Sequence, residues 1–264
     1  MPSIHHTPVF FPRFLCAVLI FFISAASWMQ IRAADRPERT AAQPKSLLAY
    51  VFDERFSVVR SRPDVEAAYL RRLRTGHRVF IVSNENLRKN EKFRRVIVSS
   101  RFVGWMLNAA LAAPGIPGDD EKLFRFAMQQ PGERALIALK ILTSHFEKSS
   151  LRPKALLQLG TLADQVAFQI SNRANRKLNP EELKLPEGLD ETDLFANYRG
   201  LDHFESFGIH FRYQAVSDQF AYSGDAYREL IRRYPKAGET VAAKERLRDI
   251  RVQPGGVKPD RSTP

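Results

Sequence analysis

The sequence predicts an α+β protein: a small β-barrel or sandwich followed by α-helical hairpins, with a β-hairpin inserted among the helices. Residues 47–113 contain short β-prone runs with turn signals at a spacing of about 8–12 residues, as in small all-β domains. Residues 119–178 and 223–252 carry helix-forming runs broken by short polar segments. Between them, in residues 179–222, the runs IHFRY and QFAY flank a polar AVSD turn.

The N-terminal segment indicates export. Arg13 precedes an apolar run, residues 14–23, which small residues follow up to Ala26; this is the pattern of a secretory signal peptide. We expect residues 1–34 to be that peptide, with cleavage between residues 26 and 34, and residues 35–46 to be a flexible linker. An uncleaved membrane anchor is the alternative, because further apolar residues lengthen the run towards the roughly 17 that a membrane span needs.

Charge and cysteine content limit the class of protein that the chain can belong to. The chain of 264 residues has a formal net charge of +12, and its one cysteine, Cys16, lies in the predicted signal peptide. A mature chain without cysteine has no disulfide, no thiol nucleophile and no cysteine–zinc site. We therefore expect an exported bacterial protein of the periplasm or cell envelope, with a disordered tail at residues 253–264.

The segment FRRVIVSSRFVGWM, residues 93–106, alternates apolar and basic side chains and ends in a glycine–tryptophan pair. It predicts a curved strand pair with one buried and one charged face, and a close backbone approach at Gly104. Trp105 could pack in the core or contact a ligand, and packing is favoured. The side chains predicted to line a ligand groove are Trp105, Phe93, Phe80, Arg78 and Arg95.

Basic residues are dense in the same region: Arg71, Arg72, Arg74, Arg78, Lys89, Lys92, Arg94 and Arg95. Those that alternate along a strand share a face and raise a positive potential there. In an exported protein this favours an anionic envelope polymer, lipid headgroups or an acidic protein as partner, and makes nucleic acid an unlikely one. A merely solvated surface is the alternative.

The motifs between residues 47 and 113 follow the order VRS-x-P, L-x-x-L-x-x-G-x-x-V-x-I, a polar loop, V-x-V and GWM. In this order they resemble a bacterial SH3-like (SH3b) domain. Two positions depart from the pattern, since Arg62 stands where glycine is usual and Phe93 where tryptophan is common. The resemblance implies a small β-barrel that binds cell-wall peptides or glycans, peptidoglycan among them. The matching residues are Val59, Arg60, Ser61, Pro63, Leu70, Leu73, Gly76, Val79, Ile81, Val96, Val98, Gly104, Trp105 and Met106.

The two helical regions align with each other without a gap at an offset of 88 residues. Small residues, leucines and a terminal aromatic recur, at Ala138, Leu142, Phe146, Ala155 and Leu159 and again at Ala226, Leu230, Tyr234, Ala243 and Leu247. The pattern resembles tetratricopeptide-like helical hairpins, which implies grooves for protein partners. The offset is not the 34 residues of a continuous array, so we expect two separated units.

Sequence signatures of catalysis are missing. His203, Glu205 and His210 form the nearest approach to a metal set but lack the spacing of known zinc motifs. There is no nucleophile elbow, cysteine–histidine pair or phosphate-binding glycine loop. We assign no catalytic, metal or cofactor-binding residue. The predicted function is a non-enzymatic binding or scaffold protein of the bacterial envelope. The alternative is a wall-modifying enzyme or its regulator, with the SH3-like module as its targeting domain.

Overall fold

Seven antiparallel strands form one sheet in the first part of the chain. The computed structural model describes residues 46–82, 92–179 and 184–252, and all of these belong to one compact unit that spans residues 44–264. The predicted signal peptide, nearly all of the linker, Lys89 and the C-terminal tail lie outside the described residues. The strands are β1 (Ser46–Val51), β2 (Val58–Arg60), β3 (Tyr69–Arg72), β4 (Arg78–Val82), β5 (Phe93–Ser99), β6 (Phe102–Leu107) and β7 (Leu111–Ala112).

The strand order is β3-β2-β6-β5-β4-β1-β7. Within the described residues β3 and β7 are the two edges and do not pair, so hydrogen bonds do not close the sheet. The predicted barrel is therefore confirmed only as an antiparallel sheet. Both edge strands are short or irregular: β7 has two residues, and β3 pairs with β2 across a register shift between Val59 and Arg60.

Alternation along the strands gives the sheet two distinct faces. One face, here called the inner face, buries a core that includes Ala49, Val51, Val79, Ile81, Val96 and Met106. Gly104 lies on this face, where an added Cβ would overlap Val59 and stand 2.8 Å from the carbonyl oxygen of Arg60. The predicted close backbone approach at Gly104 is confirmed. Gly76, whose φ is +83°, lies in the turn that connects β3 to β4.

Seven α-helices and a second sheet follow in the described part of the chain. The helices are α1 (Asp119–Gln129), α2 (Gly132–His145), α3 (Arg152–Leu178), α4 (Glu191–Ala196), α5 (Asp202–Glu205), α6 (Asp225–Arg233) and α7 (Glu239–Val252). The protein is thus of mixed α and β structure. No helix in the described ranges is both long enough and apolar enough to cross a membrane.

Helix α3 is the central element of the helical part. Its 27 residues span about 40 Å at 1.5 Å per residue, and it packs against α2, α6, α7 and the second sheet. Small residues allow close contact: an added Cβ at Gly160 would overlap the ring of Tyr227 on α6. The hydroxyl of Tyr227 then donates to Asp164, one turn further along α3, at 2.7 Å.

The turns that connect α2 to α3 and α6 to α7 make the same backbone hydrogen bonds. The amides of Phe146 and Tyr234 each close their helix on a leucine carbonyl four residues earlier. The carbonyls of these aromatics then accept from Ser149 and Ala237, at 3.0 Å in both turns. Equivalent residues are 88 positions apart, the offset of the sequence alignment. All ten aligned side chains are buried in, or packed against, one core.

The predicted β-hairpin insertion is confirmed as β8 (Phe211–Gln214) and β9 (Gln219–Tyr222), which pair from Phe211 opposite Tyr222 to Gln214 opposite Gln219. The helical core includes Phe211, Phe220 and Tyr222 from this hairpin, and Tyr50 and Phe52 from the first sheet. Asn179 follows the last residue of α3 as its C-cap, in a left-handed conformation with φ of 34°.

Candidate functional site

The face of the first sheet opposite to its inner core carries the predicted ligand residues. This face is called the outer face below. On it, Arg95 lies directly opposite Trp105, Trp105 opposite Arg60, and Arg60 opposite Tyr69. Directly opposed side chains in antiparallel strands are about 4.5–5.5 Å apart at Cβ. The pairing therefore produces a row of alternating arginine and aromatic side chains across four strands.

A second, apolar row runs beside the first. Phe80 lies opposite Ile97, and Ile97 opposite Val103, two residues along each strand from the arginine–aromatic row. Phe80 is 46% exposed and Val103 40% exposed. Single exposed apolar side chains are ordinary on protein surfaces, whereas a contiguous group marks a place where something binds. Arg78 precedes Phe80 by two residues and so shares its face.

Four of the five predicted groove residues are accessible on this face: Phe80 and Arg78 on β4, Arg95 on β5 and Trp105 on β6. Phe93 belongs to the same face by register but is only 8% exposed. Trp105 is half-buried and belongs to neither hydrophobic core. Its neighbours Gly104 and Met106 are the buried ones, so the strand period turns Trp105 away from the core. This differs from the packing role that the sequence favoured.

Charge on the sheet has one sign. The strands as described contain no Asp, Glu or Lys, and their only charged residues are arginines. By register, Arg60, Arg72, Arg78 and Arg95 belong to the outer face, whereas Arg71 lies opposite Val59, and Arg94 is buried on the inner face opposite Met106. Two of these arginines bond neutral acceptors, which leave the charge uncompensated. Arg60 donates to the carbonyl of Ala67 at 2.8 Å, and Arg72 to the carbonyl of Arg55 at 3.1 Å.

The positive potential acts on neighbouring titratable groups. The pKa of His77 is lowered by burial and also by Arg71 and Arg78. The pKa of His145 is lowered by burial, by Arg78 and by Lys140. Arg78 thus disfavours added positive charge on two histidines, as expected where arginines cluster without carboxylates.

Sequence reasoning missed Tyr69 and Val103. Tyr69 is 63% exposed and ends the arginine–aromatic row, but its position depends on the register shift between β2 and β3, which no local pattern encodes. Val103 could have been found, since it shares the two-residue period of Trp105. The sequence pattern does not single it out, because an apolar residue in a strand usually belongs to the core.

In the helical part, a cavity of about 360 Å³ lies between α3, the β8–β9 hairpin and α7. Asp164, Arg246 and Asp249 line it, and Phe168, 56% exposed, stands at its wall. Burial raises the pKa of Asp164, although the hydrogen bond from Tyr227 acts in the opposite direction. The cavity combines a partly buried carboxyl with an exposed aromatic ring.

The histidines considered for a metal set bind different carboxylates. His203 Nε2 lies 2.9 Å from Glu133 on α2, and His210 Nδ1 lies 3.1 Å from Asp225 on α6. The residues that the structure describes include no cluster of three or more His, Cys, Asp or Glu side chains placed to hold a metal ion.

Comparison of the chain with known protein families, with curated proteins and with solved structures found no match.

Proposed function

We propose that the protein is an exported binding protein of the bacterial cell envelope whose first sheet, an SH3-like module, holds an anionic polymer on its outer face. The observation that carries this proposal is the combination, on the outer face, of Arg60, Arg78 and Arg95 with exposed aromatic and apolar side chains and with no carboxylate in the described strands. The N-terminal signal pattern supports the location, because envelope polymers are met only after export.

The residue types suit such a ligand. A guanidinium group offers several donors in a planar fork that matches phosphate and carboxylate oxygens, and it keeps its charge at any physiological pH. Trp105 and Tyr69 provide flat rings with polar tips at the same surface. A repeating polyanion can occupy Arg78, Arg95 and Arg60 together, so modest contacts add up along the chain.

Cosedimentation with purified cell walls tests this proposal. We expect the purified protein to sediment with walls that retain their anionic polymers and to remain in solution with walls stripped of them. An R78Q/R95Q variant should lose most of the bound fraction. The matched control is R212Q/R232Q, which removes two exposed arginines from the helical part. Equal binding to both wall preparations, or equal loss in both variants, would contradict the proposal.

We further propose that the helical part resembles tetratricopeptide hairpins in binding a protein partner. The repeated turn supports this, since two helix pairs closed by the same hydrogen bonds 88 residues apart behave as copies of one unit. A photo-crosslinking residue in place of Phe168 should capture a partner in intact cells, whereas the same group at Met128 on α1 should not. Identical products at both positions would argue against a specific site.

A further inference from the structure

A cavity of about 560 Å³ opens between the first sheet and the helices; its lining residue Arg72 lies on β3, the strand that also carries Tyr69 of the arginine–aromatic row. It is called the arginine cleft below. Its apolar wall consists of Phe52, Phe126 and Ile137, and the rings of Phe52 and Phe126 pack edge to face with centroids 4.9 Å apart. A volume of several hundred Å³ with an apolar wall and a few convergent polar groups is typical of a small-molecule site.

Four arginines line the cleft: Arg55, Arg72, Arg74 and Arg134. Asp53 neutralises the first of them, since the Arg55 guanidinium donates to its carboxylate at 2.8 and 2.9 Å. That bond also holds Arg55 in place, with its guanidinium 6.0 Å from the Phe126 ring centroid. Arg72 is fixed by backbone carbonyls, which orient it without cancelling its charge.

The remaining charges leave a positive surplus. His203 Nε2 lies 2.9 Å from Glu133 and orients this carboxylate, which still counts towards the negative charge of the lining. Arg74 and Arg134 make no ion pair with any carboxylate in the described residues, and Glu54 is the one other acid of the lining. With Asp53 paired to Arg55, three arginines face the cavity against the carboxylates of Glu54 and Glu133, which leaves a net positive charge. Such an arrangement is costly unless water or a ligand anion compensates the charge.

From this geometry we infer that the arginine cleft binds a small organic anion, a carboxylate or phosphate carried on an apolar ring or chain. Arg74 and Arg134 bind the oxyanion, Arg72 adds to the potential, and Phe52, Phe126 and Ile137 contact the apolar group. A guanidinium pair selects a planar or tetrahedral oxyanion by bidentate hydrogen bonds. The apolar wall excludes inorganic ions as the preferred ligand, since they would leave it in contact with water.

Titration of the purified full chain with phenyl phosphate, benzoate and benzyl alcohol tests this inference. The three probes share a ring and differ in charge. We expect saturable binding of at least one of the two anions, with benzyl alcohol at least tenfold weaker. Isothermal titration gives the affinity, and the Ile137 methyl resonance should shift while that of Ile170, buried elsewhere, should not. The stronger of the two anions identifies the oxyanion that the site prefers.

Arginine variants test whether the anion binds in the arginine cleft. R74Q/R134Q should weaken binding of the preferred anion at least tenfold, and R134E alone should act in the same direction because it reverses an exposed charge without touching the core. R212Q/R232Q should leave it unchanged. Equal affinity for benzyl alcohol, unchanged affinity in R74Q/R134Q and R134E, or no saturable anion binding would each overturn the inference. Cosedimentation of R74Q/R134Q with cell walls should match wild type. A negative result in the anion titrations would therefore not bear on the proposal that the outer face binds an anionic polymer.

Discussion

Gly160 permits the contact that joins α3 to α6. The ring of Tyr227, a residue with no exposed surface, occupies the space that a side chain at Gly160 would take. Gly160→Ala should therefore be destabilising even though alanine favours a helix by about 1 kcal/mol over glycine. The added Cβ would lie 2.3–2.8 Å from three ring atoms of Tyr227, so the overpacking cost should be near the top of its usual range of about 1–3 kcal/mol. After the propensity gain we expect a net loss of about 2 kcal/mol in the free energy of unfolding, measured by urea denaturation.

The matched control is Gly238→Ala, because an added Cβ at Gly238 meets no atom within 4 Å. That substitution should leave the urea midpoint close to the wild-type value. Wild-type stability of Gly160→Ala would mean that α3 and α6 are not held as closely as described.

His145 makes the stability of the sheet–helix contact dependent on pH. Its ring stacks on Tyr50, with centroids 4.0 Å apart and planes 9° apart. Burial, Arg78 and Lys140 lower the pKa of His145 below its ordinary value of about 6.5. The unfolded chain therefore takes up a proton at higher pH than the folded chain, and stability falls as pH drops through about 6.5 towards the lowered folded value.

His145→Phe keeps a ring on Tyr50 and removes the titration. We expect the loss of unfolding free energy between about pH 7.5 and pH 5 to be smaller in this variant than in wild type. Some dependence should persist, because the pKa of His77 is lowered for similar reasons. Urea denaturation at the two pH values measures both slopes, and identical slopes would exclude His145 as a contributor.

At the scale of elements, α3 holds the β8–β9 hairpin through one buried hydroxyl. Ser171 accepts a hydrogen bond from the amide of Phe220 at 2.7 Å and donates to the carbonyl of Ala167 at 2.9 Å. Ser171→Ala leaves the Phe220 amide buried without a partner, which costs about 1–3 kcal/mol. Hydrogen exchange should become faster at Phe220 and along the hairpin.

Ser206→Ala is the control for that measurement, because the exposed Ser206 hydroxyl donates to the carbonyl of His203, its neighbour in α5. It should leave exchange in the hairpin unchanged. Equal protection of Phe220 in wild type and Ser171→Ala would show that packing alone holds the hairpin to α3.

The helical elements could be predicted from sequence because their signals are local. The offset of 88 residues aligned Phe146 with Tyr234, and both residues end a helix with the same hydrogen bonds. The role of α3 could not be predicted in this way. It depends on contacts between residues far apart in the chain, such as Arg152 with Glu229 at 2.8 Å, and no periodicity encodes such pairs.

At the scale of the whole molecule, the candidate site also has features that local sequence patterns predict and features that depend on long-range contacts. The two-residue period is enough to group Arg78 with Phe80 and Arg95 with Phe93. This period does not predict which strands are neighbours. In the structure β6 lies between β2 and β5, which brings Arg60 and Arg95 to opposite sides of Trp105. That order joins strands distant in sequence, so the sequence pattern favours packing for Trp105 and does not place it in the surface row.

The central claim is that the outer face of the sheet binds a polyanion, and fluorescence of Trp105 tests it most directly. The chain has two tryptophans, so Trp28→Phe leaves Trp105 as the only one. Titration with poly(glycerol phosphate) should change its emission saturably, and the affinity should fall as salt rises. Adding R78Q/R95Q should weaken binding at least tenfold, and neutral dextran should have no effect. An emission unaffected by the polyanion, or an affinity unchanged in R78Q/R95Q, would contradict the claim.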